Sequence, residues 1–125
     1  MLDLKILELN NMEDKIQAEI YKWFHNKYCT KLNNPRFCIF AVPNGGLRTK
    51  HEAMKLKATG TLSGVSDLIL LLPNKVYFVE VKTDVGRQSE EQKKFEEIVN
   101  NLGFDYVLVR SLENFINFVN SILKV

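Results

Sequence analysis

The sequence predicts an α/β fold, in which a mixed central sheet of about four strands is flanked by helices. Three observations support this prediction: some apolar residues recur at helical spacing, others form short continuous runs typical of strands, and the two kinds of segment alternate along the chain. The 125 residues, 46% of them hydrophobic, are enough for a single domain, 1–125, with one core. This composition excludes a fibrous or disordered chain.

The first helix is predicted over residues 12–31, because its apolar residues recur every three or four positions. These residues are Met12, Ile16, Ile20, Trp23 and Phe24. Glu13 and Gln17 fall on the same inward stripe, at about 100° per residue. A carboxylate there needs a partner, although Glu13 could instead be a first-turn acid that stabilises the helix dipole by less than about 1 kcal/mol.

Four strands are predicted from short apolar runs between turn residues. They cover residues 37–42, 67–72, 76–82 and 104–109, and the second and third form a hairpin joined at residues 73–75. The continuous apolar run 68–72 indicates a central strand that is covered on both faces. Between the first two strands, the segment PNGGLR is predicted as a turn or open loop, and the basic segment 48–57 as a loop or short helix.

Two further helices follow the hairpin. Ser89, with Gln92 three residues later, forms a capping-box pattern, and Gly103 ends this helix. Its predicted apolar face consists of Phe95, Ile98, Val99 and Leu102. Ser111 is the expected cap of the last helix. The inward residues of that helix are Leu112, Phe115, Ile116, Val119 and Leu123.

Charge and cysteine content limit the kinds of protein this can be. The net charge of +2 is too small for a generally basic nucleic-acid-binding surface, so any such surface must be local. Cys29 and Cys38 fit neither a zinc motif nor a disulfide framework, and we expect buried thiols in a reducing compartment. The sequence shows no signal pattern and no apolar stretch long enough for a membrane span, which predicts a soluble cytoplasmic or intracellular protein without membrane contact.

The hairpin carries charged residues at its open end. If its loop consists of Asn74 and Lys75, Asp67 lies opposite Lys82, and Glu80 is the diagonal neighbour of Asp67 on the same face. Such a diagonal separates the backbones by about 7 Å, so the two carboxylates can bind one cation between them. A three-residue loop would turn Asp67 to the other face.

Asp67, Glu80 and Lys82 together suggest phosphodiester chemistry. Two carboxylates without Cys or His nearby suit Mg²⁺, which keeps several waters and accepts phosphate oxygens. A bound Mg²⁺ lowers the pKa of a water, and an ammonium group can orient that water or neutralise the transition state. The pattern alone is a weak signal, since Asp often begins strands and Lys often ends them.

Further motifs make the pattern specific. In chain order they are Glu13-x-x-x-Gln17, PNGG, GVSD, EVK, Ser89 with Gln92, and LVRS. This series resembles the VRR-NUC family of the PD-(D/E)XK nuclease superfamily over residues of about 12–120. The resemblance implies a restriction-endonuclease-like core, DNA hydrolysis and catalytic Mg²⁺ or Mn²⁺. Ser66 stands where the superfamily name has proline, which leaves the following acid in place.

The resemblance also implies roles for individual residues. Asp67 and Glu80 are similar to the metal-binding acids, to which Val81 adds its backbone carbonyl. Lys82 matches the catalytic lysine. Glu13 matches the helix glutamate that supports the metal or its waters.

Two glutamines complete the implied site. Gln92 occupies the position of the family's glutamine after the catalytic strand, and Gln17 that of the glutamine after the helix glutamate. The capping box explains Gln92 equally well, and both roles could coexist only if its side chain left the cap.

The remaining predicted contacts are with DNA phosphates. They are Gln17, Asn44, Gly45, Gly46, Arg48, Lys50, Lys55, Lys57 and Arg87. Lysine and arginine beside a phosphodiester site add affinity without sequence information, although the basic segment could equally be a solvated face and residues 44–46 only a turn.

The predicted function is that of a Mg²⁺-dependent endodeoxyribonuclease selective for branched DNA such as Holliday junctions. The resemblance implies a homodimer, and a single site per chain agrees, since cutting two strands of a junction needs two sites. The alternatives are a restriction-like or repair nuclease acting on duplex or flap DNA, and a DNA-binding module that keeps the fold without cutting.

Overall fold

The computed structural model of the chain describes residues 4–30, 37–43 and 49–123. The predicted DNA contacts Asn44, Gly45, Gly46 and Arg48 lie outside the described residues.

The described residues form four α-helices beside the sheet strands. They are Leu4–Phe24 (α1), Lys50–Ala58 (α2), Glu90–Asn101 (α3) and Leu112–Leu123 (α4), and a π-helical segment, His25–Thr30, continues α1. Because α1 begins earlier than the sequence predicts, Glu13 lies well inside it, and its first turn contains no acid. The helix-dipole explanation of Glu13 is therefore wrong. Among the described residues, no helix combines the length and the apolar character needed to cross a membrane.

The strands form one mixed sheet in chain order. They are Cys38–Ala41 (β1), Leu68–Leu72 (β2), Lys75–Val81 (β3) and Asp105–Val109 (β4). The first three are antiparallel, and β4 is parallel to β3 because α3 provides the long crossover that a parallel neighbour needs. The predicted α/β fold with a mixed, helix-flanked sheet is confirmed.

The hairpin between β2 and β3 differs from the predicted register. Leu72 pairs with Lys75, so the loop consists of Pro73 and Asn74. Asn74 has a φ of 60°, and a proline followed by a positive-φ residue is the combination of a type II turn. The prediction of an Asn74 and Lys75 loop is thus wrong by one residue at each end. Moving the whole loop by one position changes the strand partner of each residue by two. Because side chains alternate between the two faces of a sheet, each side chain still points to the predicted face.

The two faces of the sheet are packed differently. Leu68, Leu70, Val79 and Val81 point to the face covered by α1 and α4, where Ile20, Phe24, Phe115 and Val119 complete the apolar core. Side chains alternate along a strand, so Phe78 and Glu80 point to the opposite face. There Phe95 of α3 packs edge-on against Phe78, and Tyr106 lies beside Phe95.

Helical geometry explains which residues of α1 are inward. At about 100° per residue, Glu13 lies about 20° from the buried Ile20, whereas Met12 lies about 80° away. Met12 is accordingly exposed and Glu13 is half-buried, so the inward placement of Glu13 is confirmed and that of Met12 is wrong.

Other burial predictions also need correction. On α3 only Phe95 and Val99 are buried, because Ile98 lies beside rather than on the sheet-facing stripe and Leu102 lies beyond the last turn. The expectation of buried thiols is wrong for Cys38, which is exposed on β1, an outer strand of the described sheet.

Candidate active site

The carboxylates of Asp67 and Glu80 meet at the open end of the hairpin. Continuing the observed register by one residue beyond the Leu68 and Val79 pair places Asp67 opposite Glu80, rather than opposite Lys82 as predicted. Asp67 Oδ2 accepts a hydrogen bond of 2.8 Å from the backbone N–H of Val81. The one-residue change in the loop therefore brings the two acids closer than the predicted diagonal.

Glu80 is a buried acid with an altered pKa. Its side chain is only 1% exposed. Burial, followed by hydrogen bonding to Asp67 and the negative charge of Asp67, raises the pKa of Glu80 to about 9, and Lys82 offsets this only in part. In the absence of another cation, a proton thus neutralises the charge that the two carboxyl groups would otherwise share.

Lys82 and Glu13 form the other half of the site. Lys82 is 8% exposed, and its Nζ lies 3.8 Å from Oε1 of Glu13. Burial raises the pKa of the Glu13 carboxyl, Lys82 lowers it, and the nearby Asp67 raises it again. These electrostatic couplings show that α1 brings Glu13 to the same site as the hairpin acids, as the inward stripe predicts.

Gln92 contacts both its own helix and the site. Its Oε1 accepts from the backbone N–H of Ser89 at 2.8 Å, and the Ser89 hydroxyl accepts from the backbone N–H of Gln92, which completes the capping box. At the same time, its Nε2 donates to Glu80 Oε2 at 3.2 Å. The expectation that the two roles exclude each other is wrong, because the amide oxygen serves the cap while the amide nitrogen serves the acid.

Tyr106 is a site residue that the sequence analysis missed. Its hydroxyl donates to Glu80 Oε1 at 3.4 Å and accepts from Gln88 Nε2 at 3.1 Å. The same Gln88 nitrogen donates to Glu96 at 3.1 Å. Burial and the charge of Glu80 raise the pKa of Tyr106, which keeps its hydroxyl a donor.

The parallel register of β4 explains this placement of Tyr106. Tyr106 pairs with Phe78, and by alternation it shares the face of Glu80. Tyr106 is the one tyrosine among the valines and leucine of β4, and this was the only sequence feature that could have marked it as a site residue. The face of the sheet to which it points depends on how β4 pairs with β3, which the sequence does not specify.

Arg110, directly after β4, holds the segment that follows β3. Its Nη1 donates to the backbone carbonyls of Thr83 and Gly86. The backbone N–H of Lys82 donates to the carbonyl of Val109 at 3.0 Å. The end of β4 therefore fixes both Lys82 and the turn after it.

The predicted DNA contacts that the structure describes lie on three different elements. Lys50, Lys55 and Lys57 are exposed on α2, which is capped by Thr49 and has no buried residue. Arg87 is exposed in the segment between β3 and α3. Gln17 lines a cavity of about 360 Å³ between α1 and the sheet. The lysines thus have the exposed placement that either phosphate binding or a solvated face requires.

Close packing places α2 and its connection beside the first turn of α3. Gly64 has a φ of 85°, and a Cβ at this position would lie 2.3 Å from the backbone oxygen of Glu91. Leu56 and Lys57 of α2 line one cavity together with Glu91 and Lys94. The basic helix therefore adjoins the turn that carries Gln92.

The donor set suits a hard divalent ion. Two carboxyl groups that face each other, with the pKa of Glu80 raised by its burial and by Asp67, match the one or two carboxylates with which proteins bind Mg²⁺ while it keeps its waters. Within the described ranges, no cluster of three or more His, Cys, Asp or Glu side chains is arranged to hold a metal. Glu13 is paired with Lys82, so the side chains free to bind such an ion directly would be Asp67 and Glu80.

Comparison with known proteins gives the family. The VRR-NUC domain profile matches residues 11–113. The chain belongs to the VRR-NUC domain family. A solved structure titled "VRR_NUC domain protein" has a TM-score of 0.68 at 20% identity and covers 90% of this chain and 88% of its own. A second, titled "VRR_NUC domain", has a TM-score of 0.60 at 19% identity, with 87% and 95% covered.

These two structures are similar in fold, and the family match gives the chain a nuclease-type fold. No curated protein shows significant similarity to the chain.

Proposed function

We propose that this VRR-NUC protein is a divalent-metal-dependent endodeoxyribonuclease, in line with its resemblance to the PD-(D/E)XK superfamily. One observation carries the proposal: on a nuclease-type fold, two facing carboxyl groups, Asp67 and the buried Glu80, lie beside a buried lysine, Lys82. A purely structural role would not explain burying the ionisable groups of Glu80 and Lys82 beside Asp67 at the open end of a hairpin, because such burial costs desolvation energy.

Asp67 and Glu80 would hold Mg²⁺ or Mn²⁺, with the carbonyl of Val81 as a further ligand. When bound, such an ion activates a water and stabilises charge on a phosphoryl oxygen. Glu80 would release its proton to bind such an ion, because the cation would supply the positive charge that both carboxylates need.

The surrounding residues orient these groups. Lys82 directs its ammonium group at the attacking water or the pentavalent phosphate, and Glu13 keeps that ammonium group in place. Gln92 and Tyr106 each donate to one oxygen of Glu80 and so fix its carboxylate plane.

The proposed substrate is branched DNA such as a Holliday junction, cut by a homodimer. The exposed lysines of α2, together with Arg87, Gln17 and the sequence-predicted Arg48 and residues 44–46, would bind phosphates around the scissile bond. Two copies would supply the paired cuts, since the described part of the chain offers one such set of residues.

Cleavage assays with site variants test the proposal. Glu80→Gln and Lys82→Ala should each abolish Mg²⁺-dependent cleavage while their circular dichroism remains that of the wild type. Glu97→Gln makes the same chemical change at an exposed position of α3. It is therefore the matched control and should remain active. Full activity of either site variant would exclude the assignment.

The substrate part is tested separately on labelled four-way junctions, flaps and linear duplexes, with light scattering for the dimer. Preferential junction cleavage by a dimer supports the proposal. Equal cleavage of flaps or duplexes would instead indicate a repair or restriction-like nuclease, and binding without cleavage in Mg²⁺ or Mn²⁺ would indicate a non-cutting module.

A further inference from the structure

The segment that follows Lys82, residues 83–86, is held as a closed turn, here called the 83–86 loop. The backbone N–H of Gly86 donates to the carbonyl of Thr83 at 3.2 Å. Arg110 Nη1 donates to that same carbonyl and to the carbonyl of Gly86, the latter at 2.8 Å. One guanidinium nitrogen thus bridges both ends of the loop.

The 83–86 loop forms a wall against Glu13. A Cβ on Gly86 would lie 3.3 Å from Glu13 Oε1 and 3.1 Å from Thr83 Oγ1, both tighter than ordinary contacts of 3.4–4 Å. Glu13 Oε1 is the same atom that lies 3.8 Å from Lys82 Nζ. Gly86 therefore lies close to the Glu13 oxygen that pairs with Lys82 and limits the space available to that carboxylate.

Arg110 is itself fixed. Its backbone N–H donates to Asn114 Oδ1 at 3.1 Å, and the backbone N–H of Asn114 donates to the Ser111 hydroxyl at 3.0 Å, so the first turn of α4 holds it. No carboxylate within the described part of the chain lies within 4.0 Å of its guanidinium group. Its Nη1 binds two loop carbonyls rather than an acid, which is a way to define backbone position.

We propose that Arg110 is a positioning residue, which sets the geometry of the Lys82 and Glu13 pair through the 83–86 loop. This inference rests on the proposed nuclease function for its kinetic consequences. Arg110 acts without touching the substrate. It fixes the 83–86 loop, the loop confines Glu13, and Glu13 holds the ammonium group of Lys82. Displacing a catalytic group by about 1 Å can cost about 100-fold in rate.

Two variants act on opposite ends of this chain of contacts. Arg110→Gln removes the bridge, and Gly86→Ala leaves Arg110 intact but pushes on Glu13. Both should lower kcat on a four-way junction by roughly 10- to 100-fold with KM changed less than about 3-fold. Arg110→Lys, whose ammonium group keeps a positive donor but lacks the length and planar shape of the guanidinium group, should restore part of kcat. Lys75→Gln, exposed at the far end of the hairpin, is the charge-matched control.

A double-mutant cycle separates positioning from direct phosphate binding. If Arg110 acts through Glu13, the loss in Arg110→Gln combined with Glu13→Gln should be clearly smaller than the product of the single losses. A raised KM for Arg110→Gln, additive with Glu13→Gln and absent in Gly86→Ala, would instead show that Arg110 grips phosphate and would overturn the proposal.

A spectroscopic readout makes the test independent of activity. The NMR signal of the Lys82 side chain, assigned by its absence in Lys82→Arg, should shift in both Arg110→Gln and Gly86→Ala and stay unchanged in Lys75→Gln. If the wild-type protein cuts no DNA, the nuclease proposal fails while this measurement still decides the positioning role. Unshifted Lys82 signals in two folded variants would refute it.

Discussion

The two faces of the sheet use the same strands for opposite purposes. On the face toward α1 and α4, Val79 and Val81 are fully buried among apolar side chains. On the face toward α3, Glu80 is buried just as deeply, but among groups that hydrogen-bond to it or carry charge. The comparison shows that depth of burial does not distinguish core from site, whereas the chemistry of the neighbours does.

The apolar face should dominate stability. Phe115→Ala removes a fully buried ring that contacts Trp23 and Phe24, and should lower the free energy of unfolding by about 3 to 5 kcal/mol. Ile98→Ala, on the exposed side of α3, should cost less than about 1 kcal/mol. Urea denaturation measures both, and equal losses would contradict the assignment of the core to this face.

The close packing of the backbone against α3 should make the next largest contribution to stability. Gly64→Ala combines a strained positive φ with a clash against the Glu91 backbone, and should cost roughly 2 to 3 kcal/mol. Gly60 also has a positive φ, 103°, but nothing lies within 4 Å of a Cβ there. Thermal melts of Gly64→Ala and Gly60→Ala therefore separate the clash from the strain. If the melting temperatures of the two variants fall equally, the close approach to α3 contributes nothing to stability.

The buried acid should make metal-free stability depend on pH. The folded protein holds the Glu80 proton up to a pKa of about 9, whereas an ordinary glutamate releases it near 4.5, so stability declines as pH rises between these values. At pH 8 in a chelating buffer, Glu80→Gln should be more stable than the wild type by roughly 1 to 3 kcal/mol. Mg²⁺ should stabilise the wild type and not the variant.

Denaturation curves at pH 5 and pH 8 check this prediction, with Glu97→Gln as the exposed control. A wild type that becomes more stable than Glu80→Gln on going from pH 5 to pH 8 would contradict the raised pKa.

The smallest expected effects come from the first turn of α3, where two variants distinguish helix capping from the contact with Glu80. Ser89→Ala and Gln92→Ala each remove one half of the capping box and should lower stability by about 0.5 to 1 kcal/mol. Only Gln92→Ala also removes the donor to Glu80 Oε2, so only this variant should lower kcat for DNA cleavage. Comparable kcat losses in the two variants would mean that the helix start matters and the amide contact does not.

The sequence predicts the inward Glu13 from helical periodicity, the α/β fold from the alternation of helical and strand patterns, and the hairpin acids from their positions at the ends of apolar strands. It does not predict the partner of Asp67, since moving the two-residue loop by one position changes each strand partner by two residues and leaves the hydrophobic pattern unchanged. Tyr106 and Arg110 also escape it, because their roles depend on how β4 aligns with β3. The functional assignments of individual residues stay predictions until variants are assayed.

The shared amide of Gln92 links two processes that are usually separate. Fraying of the first turn of α3 breaks the capping box and, in the same event, frees one oxygen of Glu80. Helix ends open more readily than cores, so this local opening is sampled at free energies well below that of global unfolding. For the proposed nuclease, mild warming or low denaturant should therefore reduce DNA cleavage before any loss of the sheet is detected, which would set a thermal limit on activity below the melting temperature.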